Sequence, residues 1–422
     1  MQLVPSSDQP RQVRQRCVFY LSGFDPKGAA HYHAMYRTEA ALQAQVSGMP
    51  MEVGVRQKTA SGNSFWKVSA NPPEGRVETH YAFLRWDDIV REHWPRSSMR
   101  LMADLLQTTW LNLRTGTLWR MFRLSWPPAV ALFAPFFLLC AVLLGVPALA
   151  AVIVWLLPPE DGWARTALAT TAVTALWFAI ALALENKYGM TWLLRSYTFT
   201  AAQAGGRVSQ IDARLEQNAE TLLQRINSRT DDEVLIVGHS SGSMMAASVL
   251  AKALSRDPQL GARGPVVSLL TLGQCMPMLG CLPQARAFRS DLQRLANAEA
   301  IDWLDFSAPP DGCCFALTDP LAACGVSNEK ERQDRPKLLS PRFAEMFELP
   351  QYLAIKRDKL RMHFQYLMAG SKATSYDFFA ITAGAKTLAD RFKNEASVRR
   401  YAGLQIVKIK NSAPRHIAGG AF

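Results

Sequence analysis

Two stretches without a charged residue divide this chain and limit what it can fold into. Ala129 to Leu157 runs 29 positions with no Asp, Glu, Lys or Arg, and Thr166 to Leu184 runs 19. About 20 apolar helical residues cross a bilayer core of about 30 Å, so each stretch is long enough to span. The first exceeds that length and contains Pro135 and Pro147, which predicts a kinked or tilted helix. Only Pro158 to Arg165 separates the two, so an antiparallel hairpin is expected. Trp126, Trp155, Trp163, Tyr188 and Trp192 fall near the ends of the stretches, where interfacial aromatic residues collect. Arg114, Arg120 and Arg123 precede the first stretch, and Lys187, Arg195 and Arg207 follow the second. The connection sets Arg165 against Glu160 and Asp161. Basic flanks favour the cytoplasm, so two spans of the inner (plasma) membrane with both ends cytoplasmic are expected. Met1 to Arg16 is polar and shows no apolar core of a secretory signal.

The flanking segments carry an alternation of strand and helix patterns. Arg16–Leu21 reads as a strand and His31–Gln45 as a helix. Met51–Gln57, Phe65–Ser69 and Glu78–Trp86 read as strands, and Asp87–Trp94 as a helix that Asp87 would cap. Beyond the hairpin, Val208–Asn227 is an amphipathic helix. The strands Val234–Val237, Val266–Leu272 and Ala300–Phe306 alternate with the helices Ser243–Leu254 and Ala287–Ala298, and Ser375–Asn394 reads as a final helix. Such alternation implies an α/β domain with a mostly parallel sheet covered on both faces. Residues 1–125 and 188–422 would then build one domain around the hairpin at 126–187. Strands from both sides can share a sheet only if both flanks lie on one membrane face. An even span count follows, in agreement with two.

Composition fits this placement. The chain has 422 residues, 49% of them hydrophobic, enough for a large core beside the hairpin. Seven cysteines, two adjacent at Cys313 and Cys314, form no spaced framework, which suits free thiols in a reducing compartment. Zinc-type Cys/His spacings are missing, so no metal or other cofactor is expected. A net charge of +12 suits a domain lying against anionic headgroups of a lipid bilayer. Basic residues are scattered and no nucleic-acid-binding motif appears, so no nucleic-acid partner is expected.

The chemistry-bearing motif is Gly238-His239-Ser240-Ser241-Gly242, set between an apolar β-branched run and a small-residue helical run. Gly-x-Ser-x-Gly in a strand-to-helix turn is a nucleophile elbow. The turn is so tight that the serine takes strained backbone angles, and Gly238 and Gly242 leave room where side chains would collide. The start of the following helix lies beneath the serine with free N–H groups and the positive end of its dipole.

On these residues the chain resembles the α/β-hydrolase superfamily, closest to bacterial membrane-associated lipase- or esterase-like hydrolases. The resemblance covers the regions either side of the hairpin. It implies a triad in chain order Ser, acid, His. Ser240 would be the nucleophile. The acid would lie in the loop after a later strand, which points to Asp311 in Ser307–Gly312, with Asp305 second because it lies within the strand. The histidine would lie near the C-terminus, which points to His363, with His416 in reserve. The Ser241 N–H would be one oxyanion donor. The Phe24 N–H, in the loop Ser22-Gly23-Phe24, would be the other, although no His-Gly pair occupies that loop as it does in lipases. A hydrophobic ester or acyl substrate reached from the membrane is implied. A catalytically silent scaffold with the same fold is the alternative. A transport role is disfavoured, because neither span carries an ionisable residue.

The remaining candidates have plainer readings. His31 and His33 read as a surface pair at a helix start, and His239 as packing beside the site. His80 and His93 read as ordinary partly buried residues. Gly273 to Pro277 follows a strand next to the elbow, where a segment can line the pocket, but a structural role is expected. Cys275 has no assignable base and is expected to be structural.

Overall fold

The computed structural model describes residues 12–398 apart from 61, 95–96, 158–159, 161 and 327–334. His416 lies outside the described residues. The N-terminal part holds β1 (Gln15–Leu21), α1 (Gly28–Ser47), β2 (Met51–Val53), β3 (Gln57–Lys58), β4 (Ser64–Ala70), β5 (Val77–Phe83) and α2 (Asp87–Glu92). Helices α3 (Ser98–Arg114) and α4 (Thr117–Leu124) lead to the long α5 (Trp126–Leu156) and α6 (Trp163–Tyr188). Next come α7 (Met190–Ala204), α8 (Ser209–Ser228), β6 (Glu233–His239), α9 (Gly242–Arg256) and β7 (Val266–Leu272). The chain continues through α10 (Met276–Gly280), α11 (Arg286–Asn297), β8 (Ile301–Phe306), α12 (Pro320–Ala323) and β9 (Lys337–Leu339). Helices α13 (Leu349–Arg357), α14 (Lys359–Phe364), α15 (Phe378–Ala383) and α16 (Leu388–Arg391) close the described chain.

Among the described residues nine strands form one mixed sheet in the order β2-β4-β5-β1-β6-β7-β8-β9, with β3 beside β4. From β5 to β9 along this order all neighbours are parallel, while β2, β3 and β4 add antiparallel pairs at one edge. The expected α/β architecture is present. Strand β1, before the long helices, pairs in parallel with β6 after them, from Arg16 opposite Glu233 to Leu21 opposite Gly238. One sheet is therefore built from both sides of the α5–α6 insertion.

The pleat explains the layers. Successive side chains of a strand face opposite ways. Cys17, Phe19, Val234 and Ile236 face one apolar cluster, completed by α8, α9 and α11. Val18, Tyr20, Leu235 and Val237 face a second cluster, to which α1 and α15 contribute. With both faces covered, β6 is buried along its whole length, and this accounts for its continuous apolar run.

Helices α5 and α6 are long and apolar enough to cross a membrane by length and composition. Both expected prolines, Pro135 and Pro147, lie inside the continuous α5. Trp177 of α6 donates its indole N–H to Ala141 O at 3.2 Å. Its ring covers Gly145, where a Cβ would lie 2.9 Å from it. Glycine at this position lets the two helices approach.

Three local expectations are corrected. The strand expected over Met51–Gln57 is two short ones: the Gly54 N–H still meets Lys67 O in the β2–β4 register, at 2.8 Å, and the register has moved by one residue where Gln57 pairs with Phe65. The N-cap of α2 is Trp86, not Asp87. Asp87 sits in the first turn, paired with Arg91 at 2.6 Å. The single helix expected over Ser375–Asn394 is two short ones, capped by the side chains of Asp377 and Thr387.

Candidate active site

The sheet positions the site. Leaving β1, the chain first builds the β2–β5 edge and later returns to the other side of β1 as β6. The strand order reverses between β1 and β6, and in open α/β sheets a crevice forms there at the carboxyl ends of the strands. Ser22–Phe24 leave the end of β1, Ser240 the end of β6, Gly273–Cys275 the end of β7 and Ser307–Asp311 the end of β8.

Ser240 has φ 58°, a left-handed conformation costing a non-glycine residue about 1–3 kcal/mol. Its own backbone holds it there. The Ser240 N–H donates to Leu272 O at 2.8 Å, and Ser240 O accepts from the Ser243 N–H at 3.0 Å. The glycines are required by space. A Cβ on Gly238 would lie 2.6 Å from Gly242 O, and one on Gly242 would collide with Leu21 O. A tight, strained turn between β6 and α9 is therefore present at Gly238–Gly242.

His363 and Asp311 meet although 52 residues separate them. His363 Nδ1 lies 2.9 Å from Asp311 Oδ2 and 3.1 Å from Oδ1, and both side chains are buried. An imidazole that donates from Nδ1 to a carboxylate leaves Nε2 as the acceptor, which is the tautomer a general base requires. The Asp311 carboxylate also accepts from the Cys313 N–H at 3.0 Å and the Tyr366 hydroxyl at 3.1 Å. Burial alone would raise the Asp311 pKa. The facing His363, its hydrogen bond, the Cys313 N–H and the Cys314 thiol outweigh burial and hold the carboxyl below its ordinary value.

Asp305, the second candidate acid, is placed elsewhere. It is buried within β8 and accepts from Thr271 Oγ1 at 2.6 Å and Ser307 Oγ at 2.9 Å. Burial pushes its pKa from 3.8 up to about 7, against the pull of those two hydroxyls. Between these values the folded chain keeps a proton that the unfolded chain has lost. Stability contributed by this group therefore falls as pH rises through that window, by about 1.4 kcal/mol per unit. Asp305→Asn removes the titration. Relative to the native chain, the variant should gain stability from pH 4 to 7 and hold that gain above pH 7. Urea midpoints of detergent-solubilised protein at pH 5 and 7.5 check this, and a difference independent of pH would refute it.

No family model, curated protein or solved structure matches this chain. The site is therefore read from its own geometry.

Ser240 and His363 line one cavity with Phe24, Cys275, Cys313 and Tyr197. They form no hydrogen bond to each other. Among the described residues the partner of Ser240 Oγ is Cys275 Sγ, at 3.7 Å. Burial pushes that thiol up to about 12, so it stays protonated. Cys275 lies against the serine, closer to the chemistry than its expected structural role suggested. His239 packs beside His363, as expected, with its Nε2 2.9 Å from His363 O. Burial, with the neighbouring imidazole of His363, pushes its pKa down to about 3, so His239 is neutral at neutral pH.

The two N–H groups expected as oxyanion donors differ in their hydrogen bonding. The Ser241 N–H makes no hydrogen bond among the described residues. The Phe24 N–H, expected as the second donor, is already taken by Ser241 Oγ at 2.7 Å. The reason is local: the Ser241 side chain does not cap α9 and turns to the Phe24 loop instead. Tyr366, which braces Asp311, had no role in the sequence reading. It sits opposite Gly273, where φ is 53° and a Cβ would lie 2.8 Å from the Tyr366 ring.

Asp311, Cys313 and His363 also bring three potential metal-ligand atoms within 4.8 Å, a grouping the chain spacing did not suggest. Burial and the Asp311 charge raise the Cys313 pKa, which keeps it a thiol. A metal there would need the thiolate and would compete for the carboxylate that His363 Nδ1 already holds. His33, expected in a surface pair with His31, is half-buried with Nε2 2.9 Å from Gly54 O.

Proposed function

We propose that this chain is a membrane-anchored serine hydrolase of the α/β-hydrolase type that cleaves a carboxylic ester. One observation carries the reading. A buried His363–Asp311 pair opens on the same cavity as a serine held at φ 58° between two sterically required glycines. In the reaction Ser240 Oγ turns from Cys275 to His363 and attacks the ester carbonyl as Nε2 takes its proton. The oxyanion meets the open Ser241 N–H at the start of α9. Collapse expels the alcohol, which takes the proton from His363, and leaves an acyl group on Ser240. Water, activated by His363, then releases the acid.

A catalytically silent scaffold is the second reading, and specific contacts favour it. The serine hydroxyl faces a thiol, the Phe24 N–H is occupied, and the cavity measures about 20 Å³. The membrane reading rests on the length and apolarity of α5 and α6 and on their neighbours. Trp110, Leu113, Trp119 and Phe122 are exposed on α3 and α4, interleaved with Arg114, Arg120 and Arg123. That mixture suits helices lying in the headgroup layer.

A fluorophosphonate probe tests the enzyme reading. Membranes containing the full chain should show one labelled band that Ser240→Ala abolishes. Absence of labelling at high probe concentration would favour the scaffold. In the same cells a reporter near Asp161 should read the opposite face from reporters at both ends. Ends on opposite faces would reject the hairpin.

A further inference from the structure

The cavity holding Ser240 is the first of three that share walls. Tyr197 lines all three. Met278 joins the first to the second, and Leu132 and Asn112 join the second to the third. The last lies among α3, α5 and α7, where Leu105 and Phe133 form part of its wall. A single apolar cluster follows the same course, from Cys275 beside Ser240, through Met278 and Tyr197, to Leu132 and Phe133. Leu132 and Phe133 belong to the first two turns of α5, the longer of the two helices that can cross a membrane. Thr108, Thr109, Asn112, Ser196 and Thr200 also line the course, and two of these spend side-chain donors on their own helices. Asn112 Nδ2 donates to Thr108 O at 2.8 Å, and Thr200 Oγ1 donates to Ser196 O at 2.9 Å.

We propose that this course is an acyl-chain path joining the bilayer to Ser240, and that the substrate is a long-chain acyl ester taken from the membrane. The proposal rests on the serine-hydrolase reading and adds the substrate class. In this state the path is shut. The three cavities measure about 20, 10 and 0 Å³ from Ser240 outward, room for about one water in the first and for no acyl chain anywhere. Tyr197 is the common wall and therefore the gate. Among the described residues its hydroxyl reaches Pro128 O, at 3.5 Å, a weak restraint at the foot of α5. Swinging this one ring out would merge the three spaces. The apolar walls would then bury a hydrocarbon chain with its ester carbonyl at Ser240.

The experiment compares p-nitrophenyl butyrate with p-nitrophenyl dodecanoate, using the full chain in detergent. Each rate is divided by the fraction of protein that a fluorophosphonate labels. Leu132→Trp fills the middle of the path and should lower the dodecanoate-to-butyrate ratio of kcat/KM by about tenfold or more. Tyr197→Ala removes the gate and should raise it. Opposite movement of the two variants supports the path, and one moving variant suffices if the other is not labelled. Ratios that stay at the native value in labelled protein overturn the path while the hydrolase reading stands. A native chain that is neither labelled nor active on butyrate overturns both.

Discussion

Asp311→Asn is expected to cut turnover by a factor on the order of 10⁴ and to leave the fold intact. The carboxylate now takes the Nδ1 proton of His363 at 2.9 Å, which frees Nε2 to accept. An asparagine can donate its amide to Nδ1, and the imidazole then carries its proton on Nε2, where it cannot take one from Ser240. The local structure survives because the asparagine carbonyl still accepts from the Cys313 N–H or the Tyr366 hydroxyl. Asp305→Asn should reduce turnover much less, since Asp305 meets Thr271 and Ser307 rather than the histidine. Turnover of a short ester, with circular dichroism as the check on folding, separates the two. The reverse ranking would give the acid role to Asp305.

The catalytic candidates could be read from the chain because they depend on order and on strand ends. A turn confined between a strand and a helix forces its residue types; Asp311, beyond the end of β8, and His363, in α14, came instead from the chain order that the resemblance implies. Strands and helices that are buried on a regular period were equally plain: Val266–Leu272 is reproduced to the residue. What could not be read depends on side-chain placement. Phe24 and Ser241 were correctly brought together, yet the serine hydroxyl occupies the amide that was expected to be free. Cys275 and Tyr366 are ordinary residues in sequence, and only packing sets one against Ser240 and the other against Asp311. The final helix failed for a similar reason. The Ser375–Asn394 stretch has helical residues but contains two caps, Asp377 and Thr387, and Gly384 ends the first helix between them. The break has a structural use, because it presents Gly384 O to the Arg16 guanidinium at 2.7 Å.

That guanidinium is the basis of the largest stability effect expected here. Arg16 of β1 and Glu233 of β6 are fully buried, 2.7 Å apart, in adjacent strands on opposite sides of the α5–α6 insertion in sequence. Arg16 also donates to Gly384 O and to Lys386 O, the latter at 2.6 Å. Glu233 accepts from Ser268 Oγ at 2.9 Å and from the Leu388 N–H at 2.8 Å. Removing one partner leaves a charge in the core with no counter-charge. Glu233→Gln and Arg16→Met are each expected to cost about 3–5 kcal/mol, which is about 10² to 10⁴ in the folding equilibrium. The double variant should cost clearly less than the sum of the singles, because it leaves no isolated charge. Denaturant unfolding of the three variants beside the native chain measures this coupling. A double variant that loses the full sum would mean that the two charges do not hold each other. The joint between the chain segments before and after the hairpin would then rest on β1–β6 backbone pairing and apolar packing alone.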